Sequence, residues 1–349
     1  MKEKKKFRMI KLIVAVLIMT LTVTGCSLPG NQDQEDDRLK DGVSVGMLTD
    51  DRGIEDPYFE IAWEGFSKAK EDLGTEITYL EAKKESQYPS KLKELYNQGC
   101  DVIFTWGQDI VPAVLEAADS NQNIKYVCVD AYLEEPVPSN VLGVSYKVEE
   151  GAFLAGYIAG KKTKSYVVGY IAGEYSDLVE RNYYGYKTGI KKSNSTCEVM
   201  KGLAATFTNK TRVQEMAEYM YDNKADIIFH AAGTAGKGLM KAAVQADKMA
   251  IGSDVDQNYL APDNVITSVV KRHDNVVYDI ISQYKNLKLE TGKNIYVGMA
   301  ESAIDIAELT SESLKELEYS QVMKFKEEII QGDLVIPYDE GSYLEFVKN

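Results

Sequence analysis

Carboxylates, a lysine, small residues and aromatic rings follow the predicted strands of this 349-residue chain. In parallel α/β sheets, ligands bind beyond the carboxyl ends of the strands, so these residues are the candidates for chemistry. Aromatic faces can stack a flat ring, and carboxylates can accept hydrogen bonds from sugar hydroxyls. The candidate ligand-binding residues are Asp50, Phe59, Trp106, Asp130, Phe207, Gly233, Asp254 and Lys271.

No recognisable catalytic set accompanies these residues. The two histidines, His230 and His273, have no evident serine or cysteine nucleophile nearby in the sequence. His230 ends a predicted buried strand, which favours a structural role, and His273 begins a predicted helix. We therefore expect no enzyme and assign no catalytic residue.

The acidic run from Asp50 to Asp56 has a spacing that argues against a metal site. It reads D-D-x-x-x-E-D, whereas nucleoside hydrolases hold calcium with D-x-D-x-x-x-D-D. Asp56-Pro57 instead indicates a helix N-terminus. The glycine-rich run at Gly233–Gly238 fits neither standard nucleotide-binding pattern. We predict no metal and no cofactor.

Segments of the chain recur at an offset of about 124 residues, which is roughly one domain length. Leu95–Phe104 is echoed by Met220–Phe229, and Asp130 and Lys147 correspond to Asp254 and Lys271. The chain is therefore predicted to be two copies of one α/β unit, with a cleft between them.

Short apolar strands alternate with amphipathic helices in both copies, which indicates parallel sheets covered on both faces. The predicted strands are Val43–Leu48, Ile77–Leu80, Val102–Thr105, Ile124–Val129, Val141–Ser145, Val167–Ile171, Glu198–Lys201, Ile227–His230, Ala250–Ser253 and Val265–Val269. The tail predicts a helix at His273–Lys288, a strand at Ile295–Val297, a charged helix at Glu312–Gln331 and a last strand at Leu334–Ile336.

The predicted fold is α/β, with two doubly wound, Rossmann-like lobes joined by a hinge, as in class I periplasmic binding proteins. We assign residues 43–147 and about 272–295 to the N-terminal lobe. Residues 148–271 and about 296–349 are assigned to the C-terminal lobe.

Residues 1–25 predict a lipoprotein signal peptide. A basic start precedes the apolar run Ile10–Val23, which is too short for a stable span. Val23-Thr24-Gly25-Cys26 resembles the bacterial lipobox, in which the cysteine is lipidated. An uncleaved anchor and an ordinary secretory peptide are the alternatives. Residues 26–42 are acidic and predict a disordered tether, so we expect a lipid-anchored protein on the extracytoplasmic face of the cell membrane.

Charge and cysteine spacing exclude two further classes of function. The chain carries −14 at pH 7 and its first 25 residues carry +5, so the remainder carries −19. This acidity argues against a nucleic-acid partner. Cys100, Cys128 and Cys197 are widely spaced and lack a C-x-x-C motif, which excludes a zinc or disulfide framework and favours buried thiols at Cys100 and Cys128.

Four ordered motifs resemble the basic membrane protein family of lipoproteins (PnrA-like), the nucleoside-binding components of ABC importers. The motif T-D-x-G-G-x-D-D-x-S-F-N corresponds to Thr49–Glu60, and A-D-V-I-Y-H-A-A-G to Ala225–Gly233. I-G-V-D-x-D-Q corresponds to Ile251–Gln257, and T-S-M-V-K-R to Thr267–Arg272. The likeness runs from about Val43 to Ile336.

The resemblance implies a role for each candidate residue. Phe59 and Phe207 would sandwich the base, and Asp130 would meet its polar edge. Asp254 and Lys271 would bind the ribose hydroxyls near the backbone of Gly233, and Asp50 would shape the first loop. For Trp106, lining the cleft mouth and packing within the lobe both remain open.

Two departures from the family motif bear on specificity. Arg52 replaces a glycine and Glu60 replaces an asparagine beside the stacking phenylalanine. The sequence leaves two placements of the Arg52 side chain open: against Glu60 or over the cleft.

The resemblance implies a substrate-binding lipoprotein that delivers a nucleoside, with a purine as the default, to an ABC permease and its ATPase. We expect a monomer. A membrane-anchored sensor, as in the Med-type branch of the family that is linked to regulation, is the alternative. A nucleoside-cleaving enzyme is the third reading, and the missing metal motif argues against it.

Overall fold

The computed structural model describes residues 42–309 and 315–348, with ten α-helices and twelve strands in these ranges. The strands are β1 Ser44–Thr49, β2 Glu76–Glu81, β3 Val102–Trp106, β4 Lys125–Val129, β5 Val141–Tyr146, β6 Val167–Ala172, β7 Glu198–Leu203, β8 Ile227–Ala231, β9 Met249–Asp254, β10 Val265–Lys271, β11 Lys293–Val297 and β12 Ile304–Ile306. The helices are α1 Pro57–Leu73, α2 Tyr88–Asn97, α3 Val111–Ser120, α4 Val148–Lys162, α5 Asp177–Ser193, α6 Lys210–Asp222, α7 Lys237–Ala246, α8 His273–Lys285, α9 Glu316–Ile330 and α10 Glu340–Phe346.

The strands form two six-stranded sheets with the same order. The first runs β11-β5-β4-β3-β1-β2 and is parallel throughout, and the second runs β12-β10-β9-β8-β6-β7. Only its edge strand β12, among the described pairs, runs antiparallel. The first five strands of each half repeat one doubly wound order, with the switch point beside the first strand. The predicted pair of Rossmann-like lobes is therefore confirmed; we call them the first and second lobe after their sheets.

The two lobes share hydrogen bonds as well as topology. Asn140 lies before β5, and its side-chain amide donates to the carbonyls of Ala118 (3.1 Å), Asn121 and Ile124. Asn264 lies before β10 and donates to the carbonyls at residues 243 and 248, at 3.3 and 2.8 Å. Each asparagine thus links the end of the preceding helix to the start of the next strand, and the same polar contact occurs in both lobes.

Each half of the chain supplies one helix to the other lobe. Helix α4 follows β5 but packs on α5 and β10 of the second lobe, and α8 follows β10 but packs on α1 of the first. Glycines permit the close approach of α4 and α5. A Cβ added to Gly156 would lie 2.1 Å from the carbonyl oxygen of Tyr186, and one added to Gly189 would lie 2.0 Å from that of Phe153.

The helix that carries the first motif begins as its residues predict. Asp56 caps α1 by accepting a hydrogen bond from the amide of Tyr58 at 3.1 Å, and Pro57 occupies the first helical position. The cap fixes the start of α1, and with it the positions of Tyr58 and Phe59 in the first turn of the helix.

The tail departs from prediction at several points. The predicted strand at Leu334–Ile336 is wrong: the chain turns back onto the end of α9, where the Leu334 amide donates to the Glu328 carbonyl at 3.0 Å. No strand of the described ranges pairs with it. β12 and α10 were not predicted. The predicted helix start at Glu312 lies outside the described residues, and the described helix begins at Glu316.

Candidate functional site

Lys271 ties the two lobes together at the centre of the strand ends. Its Nζ lies 2.7 Å from Asp130 Oδ2 and 2.9 Å from Asp254 Oδ1. Asp130 follows β4 of the first sheet, whereas Asp254 and Lys271 end β9 and β10 of the second. Three of the predicted ligand-binding residues therefore form one ion-paired group between the lobes.

The two aspartates reach this position through the same backbone geometry. Asp130 has φ 58° and Asp254 has φ 70°, both in the left-handed region that aspartate tolerates better than most residues. This turn redirects the chain at the end of the strand and leaves each carboxylate beyond the sheet edge. The predicted equivalence of the two residues thus extends to their backbone conformation.

Lys271 is charged although its side chain is buried. Burial alone would lower its pKa, but the charges of Asp130 and Asp254 outweigh that effect and raise the pKa above its usual range. Burial would raise the pKa of Asp254, and the neighbouring Lys271 holds that pKa below its ordinary value instead. These ion pairs therefore keep Lys271 as an ammonium and Asp254 as a carboxylate at neutral pH.

A layer of neutral polar rings lies beside Asp130. The Tyr58 hydroxyl donates to Asp130 Oδ2 at 2.7 Å, and the Tyr58 ring meets the His273 ring edge-on at 4.5 Å. His273 Nδ1 lies 2.6 Å from the Tyr146 hydroxyl. Burial lowers the pKa of His273 to about 4, and burial with the charge of Asp130 raises the pKa of Tyr58 well above its usual range. Both rings are thus uncharged at neutral pH.

Three buried polar atoms around this layer have no hydrogen-bond partner in the part of the chain that the structure describes: Asp130 Oδ1, Trp106 Nε1 and His273 Nε2. Buried polar groups are normally paired, so each is a point where a polar ligand group could bind once the lobes part. Of these unpaired atoms, Asp130 Oδ1 is a hydrogen-bond acceptor and Trp106 Nε1 is a donor. They suit a ligand that carries both a donor and an acceptor.

Phe59 and Trp106 lie against each other in the first lobe. Their rings meet edge-on at 5.8 Å, Phe59 is fully buried, and Trp106 is 8% exposed. The Arg52 guanidinium lies over the Phe59 ring at 4.8 Å and over the Tyr58 ring at 5.0 Å. Phe59 thus has its open face covered by a side chain of its own lobe.

Phe207 is the more accessible of the two expected stacking rings, at 37% exposed. It lies in the loop after β7, and its ring packs on Gly173, where an added Cβ would come within 2.4 Å of the ring. Its carbonyl oxygen accepts hydrogen bonds from the Ala235 amide at 2.8 Å and the Thr234 hydroxyl at 3.0 Å. The short helix Gly233–Gly236 therefore holds Phe207 in place.

Arg52 pairs with Asp50 rather than with Glu60. Arg52 Nη2 lies 2.7 Å from Asp50 Oδ2, its Nε lies 3.0 Å from Asp50 Oδ1, and Asp56 is 3.9 Å away. Of the two placements left open by the sequence, the structure does not show the one against Glu60, and Arg52 lies over the Phe59 and Tyr58 rings of its own lobe. Glu60 is exposed. Burial raises the pKa of Tyr259 in the second lobe, and the charges of Asp56, Asp256 and Glu60 add smaller contributions.

Sequence reasoning missed three members of the site: Tyr58, Tyr146 and His273. Tyr58 stands next to Phe59 in the first motif, which was the available signal. His273 does begin a helix as predicted, yet it is fully buried against the site. Among the described residues no cluster of histidine, cysteine and carboxylate side chains could hold a metal ion.

The family model for "ABC transporter substrate-binding protein PnrA-like" (Bmp) matches residues 43–340. The chain belongs to this family. Basic membrane protein A of Borreliella burgdorferi is 30% identical over 342 residues, covering 97% of this chain and 98% of that protein. Basic membrane protein A of Borreliella afzelii is 32% identical over 315 residues, covering 89% and 96%.

Solved structures share the fold of this family member. A transcriptional activator of the comK gene from Bacillus halodurans superposes with a TM-score of 0.74 at 20% identity, covering 84% of this chain and 99% of that one. An ABC transporter solute-binding protein from Aeropyrum pernix K1 gives 0.71 at 21% identity, covering 88% and 96%. The two lobes are thus of the periplasmic-binding-protein type, as predicted.

Other predictions for this Bmp-family chain have mixed outcomes. Cys100 and Cys128 are buried free thiols, and His230 is a buried structural histidine whose Nε2 lies 2.8 Å from Gln257 Oε1, as predicted. Cys26 and the predicted signal peptide lie outside the described residues. Among the described helices none is long and apolar enough to cross a membrane. Membership of the family implies an extracytoplasmic location and work with a permease and an ATPase.

Proposed function

We propose that this ABC-transporter substrate-binding protein binds a nucleoside, by default a purine nucleoside, between its two lobes. The observation that carries the proposal is the group of Asp130, Asp254 and Lys271 at the facing strand ends. Charged groups in a largely buried cleft hydrogen-bond to neutral polar ligands more strongly than neutral groups do. A sugar ring with vicinal hydroxyls suits an ammonium beside a carboxylate.

Each contact in the proposed complex has a residue in place. Phe207 stacks one face of the base, the unpaired Asp130 Oδ1 accepts a hydrogen bond from its polar edge, and Asp254 and Lys271 bind the ribose hydroxyls. The backbone at Gly233 lies beside Phe207 and borders the sugar.

Hinge closure is the proposed mechanism. Within residues 42–309 and 315–348, the chain crosses between the lobes three times, at residues 147, 272 and 298–303. Opening at these crossovers separates Lys271 from Asp130, and a ligand that pairs with both groups binds the closed form better and shifts the population toward it. The closed protein then presents the ligand to a permease.

The test is calorimetric titration of the purified protein with inosine, guanosine, adenosine and ribose. Phe207→Ala should weaken binding of the purine nucleosides by at least about tenfold, which corresponds to about 1.4 kcal/mol, because one stacking face is lost. Tyr219→Ala, at an exposed aromatic residue of α6, is the control and should bind like the wild type. Unchanged affinity in Phe207→Ala would remove this residue from the site, and a wild type that binds no nucleoside would contradict the function.

The two alternative functions are separated by simple measurements. Release of free base during the same titrations would establish a nucleoside-cleaving enzyme, for which the described residues offer no metal cluster. A sensor would bind nucleosides equally well but have no permease and ATPase encoded beside it. The comK activator shares the fold at 20% identity, so the sensor reading rests on the fold alone.

We further propose that Cys26 carries a lipid that anchors the protein to the membrane. The support is sequence order: a basic start, an apolar run, small residues and then the cysteine. Cys26→Ser expressed in a bacterial host should lose the lipid mass on mass spectrometry and move to the soluble fraction. Continued fractionation of this variant with membranes would contradict the proposal.

A further inference from the structure

The pair formed by Arg52 and Asp50 is a flat, fixed surface at the end of β1. Arg52 Nε and Nη2 both bond to the Asp50 carboxylate, at 3.0 and 2.7 Å, and the Arg52 amide bonds to Asp50 Oδ1 at 3.0 Å. A bidentate pair of this kind holds the guanidinium and the carboxylate close to one plane. We call this pair the Arg52–Asp50 platform.

The platform covers the ring that the family motif assigns to stacking. The guanidinium carbon lies 4.8 Å from the centroid of the Phe59 ring, and Phe59 has no exposed surface. Two aromatic rings also meet the Phe59 ring edge-on, Tyr58 at 5.2 Å and Trp106 at 5.8 Å. Phe59 therefore cannot offer a face to a ligand while Arg52 keeps its place.

The platform itself remains accessible. The side chains of Arg52 and Asp50 are 33% and 31% exposed. A guanidinium is planar and weakly hydrated, and it stacks on aromatic rings with either face. The guanidinium carbon lies over the Phe59 and Tyr58 rings at 4.8 and 5.0 Å, and the part of the Arg52 side chain that stays exposed is where we expect a further ring to stack.

We infer that the base of the ligand stacks on the Arg52–Asp50 platform, and that Phe59 supports the platform from beneath. This inference rests on the proposed function and assigns a specificity residue that the family motif lacks, because the motif has glycine at this position. The ligand ring then lies between a cationic plane and Phe207, an arrangement that favours an electron-rich, purine-sized heterocycle.

The charges around the platform disfavour a ligand that carries a negative charge of its own. Arg52 faces two carboxylates, Asp50 and Asp56, and Lys271 also faces two, Asp130 and Asp254. Each group carries a net charge of −1 when all its members are ionised, so the site disfavours an additional anion. Inosine 5′-monophosphate should bind at least about tenfold more weakly than inosine, and equal affinity would contradict the charge argument.

Two substitutions at Arg52 test the platform by titration with purine nucleosides and with free purine bases. Arg52→Lys keeps the charge but loses the plane, and Arg52→Gly restores the family residue and uncovers Phe59. Both should weaken binding by at least about fivefold, because the stacking plane is gone. Arg212→Lys makes the same chemical change at an exposed position on α6 and is the matched control. Unfolding midpoints measured beside each titration separate loss of stacking from loss of fold.

The outcomes distinguish the platform from the proposed function. Wild-type affinity in Arg52→Lys, or tighter binding by Arg52→Gly, would show that the ligand stacks on Phe59 after Arg52 moves away, and would overturn the platform while leaving nucleoside binding intact. Binding of bases but not nucleosides, weakened in both variants, would support the platform and contradict the function. If the wild type binds neither class, both are overturned.

Discussion

The two crossovers from strand to helix occupy equivalent positions in the duplicated halves of the chain, but their side chains differ in chemical type and environment. Residues 147–149 leave β5 and read Lys-Val-Glu, and residues 271–273 leave β10 and read Lys-Arg-His, at the offset of 124 that relates the two halves. Both crossovers join the lobes. Comparing their side chains shows which of the two crossovers contributes to the candidate site.

The lysines have diverged in environment. Lys147 is one-third exposed and lies 3.8 Å from Glu301, itself 46% exposed. Lys271 is buried between two aspartates at 2.7 and 2.9 Å. Only the second crossover faces both strand-end aspartates, so the symmetric fold supports an asymmetric site.

The third residue of each crossover has kept burial while changing its chemical type. Glu149 is 4% exposed and pairs with Arg181 at 2.7 Å, leaving Oε2 without a partner, and His273 is fully buried with Nε2 unpaired. Burial raises the pKa of Glu149 to about 7 and lowers that of His273 to about 4. In each case burial favours the uncharged form of the side chain. A charge at this equivalent position is therefore energetically unfavourable in both crossovers.

The largest expected effect is the removal of Lys271. Lys271→Met should lower the free energy of unfolding by about 3–5 kcal/mol, because two carboxylates in a mostly buried group lose their counter-charge. Lys147→Met should cost less than about 1 kcal/mol, since exposed pairs contribute little. Denaturant titrations of both variants at pH 7 make the comparison.

A rescue variant separates charge from packing in this experiment. Adding Asp130→Asn to Lys271→Met removes one of the unpaired carboxylates and should recover part of the lost stability. Equal losses for the two lysine variants, or no recovery in the double variant, would show that the bridge between the lobes is not what distinguishes the second crossover.

The sequence predicts the sheets and the charged centre of the site because both depend on local patterns. Apolar runs of strand length identify the order of elements, and residues after the strands meet at one edge of a parallel sheet. Asp130, Asp254 and Lys271 follow from that rule. Leu334–Ile336 shows its limit, since an apolar run has the composition of a strand whether or not another strand lies beside it.

Side-chain direction is what the sequence does not predict. Phe59 was expected to face the ligand, and whether it can depends on Arg52, whose guanidinium lies on its ring. Tyr58 reaches Asp130 across 72 residues of sequence, and only the tertiary placement of α1 decides that contact. Specificity residues of this kind depend on tertiary contacts and carry no periodic signal.

The smaller expected effect is the pH dependence of stability at the first crossover. The folded pKa of Glu149 is about 7, above its ordinary value of 4.5, so the folded state binds a proton more tightly than the unfolded state. The stabilising contribution of protonated Glu149 is therefore fully present below about pH 4.5 and is lost as pH rises to about 7, a difference of about 3 kcal/mol. Glu149→Gln cannot titrate, so its stability should fall less over this interval.

The measurement is the free energy of unfolding of wild type and Glu149→Gln at several values between pH 5 and 8. His273 acts in the opposite direction, because its lowered pKa removes stability as pH falls from about 6.5 to 4, but it is present in both proteins and cancels in their difference. Arg181 and Glu150 face the same carboxyl group and also remain unchanged. Glu76→Gln, at an exposed position, should keep the wild-type profile. Parallel profiles for wild type and Glu149→Gln would show that the first crossover tolerates a charged Glu149. They would contradict the inference that burial favours the neutral form of both Glu149 and His273.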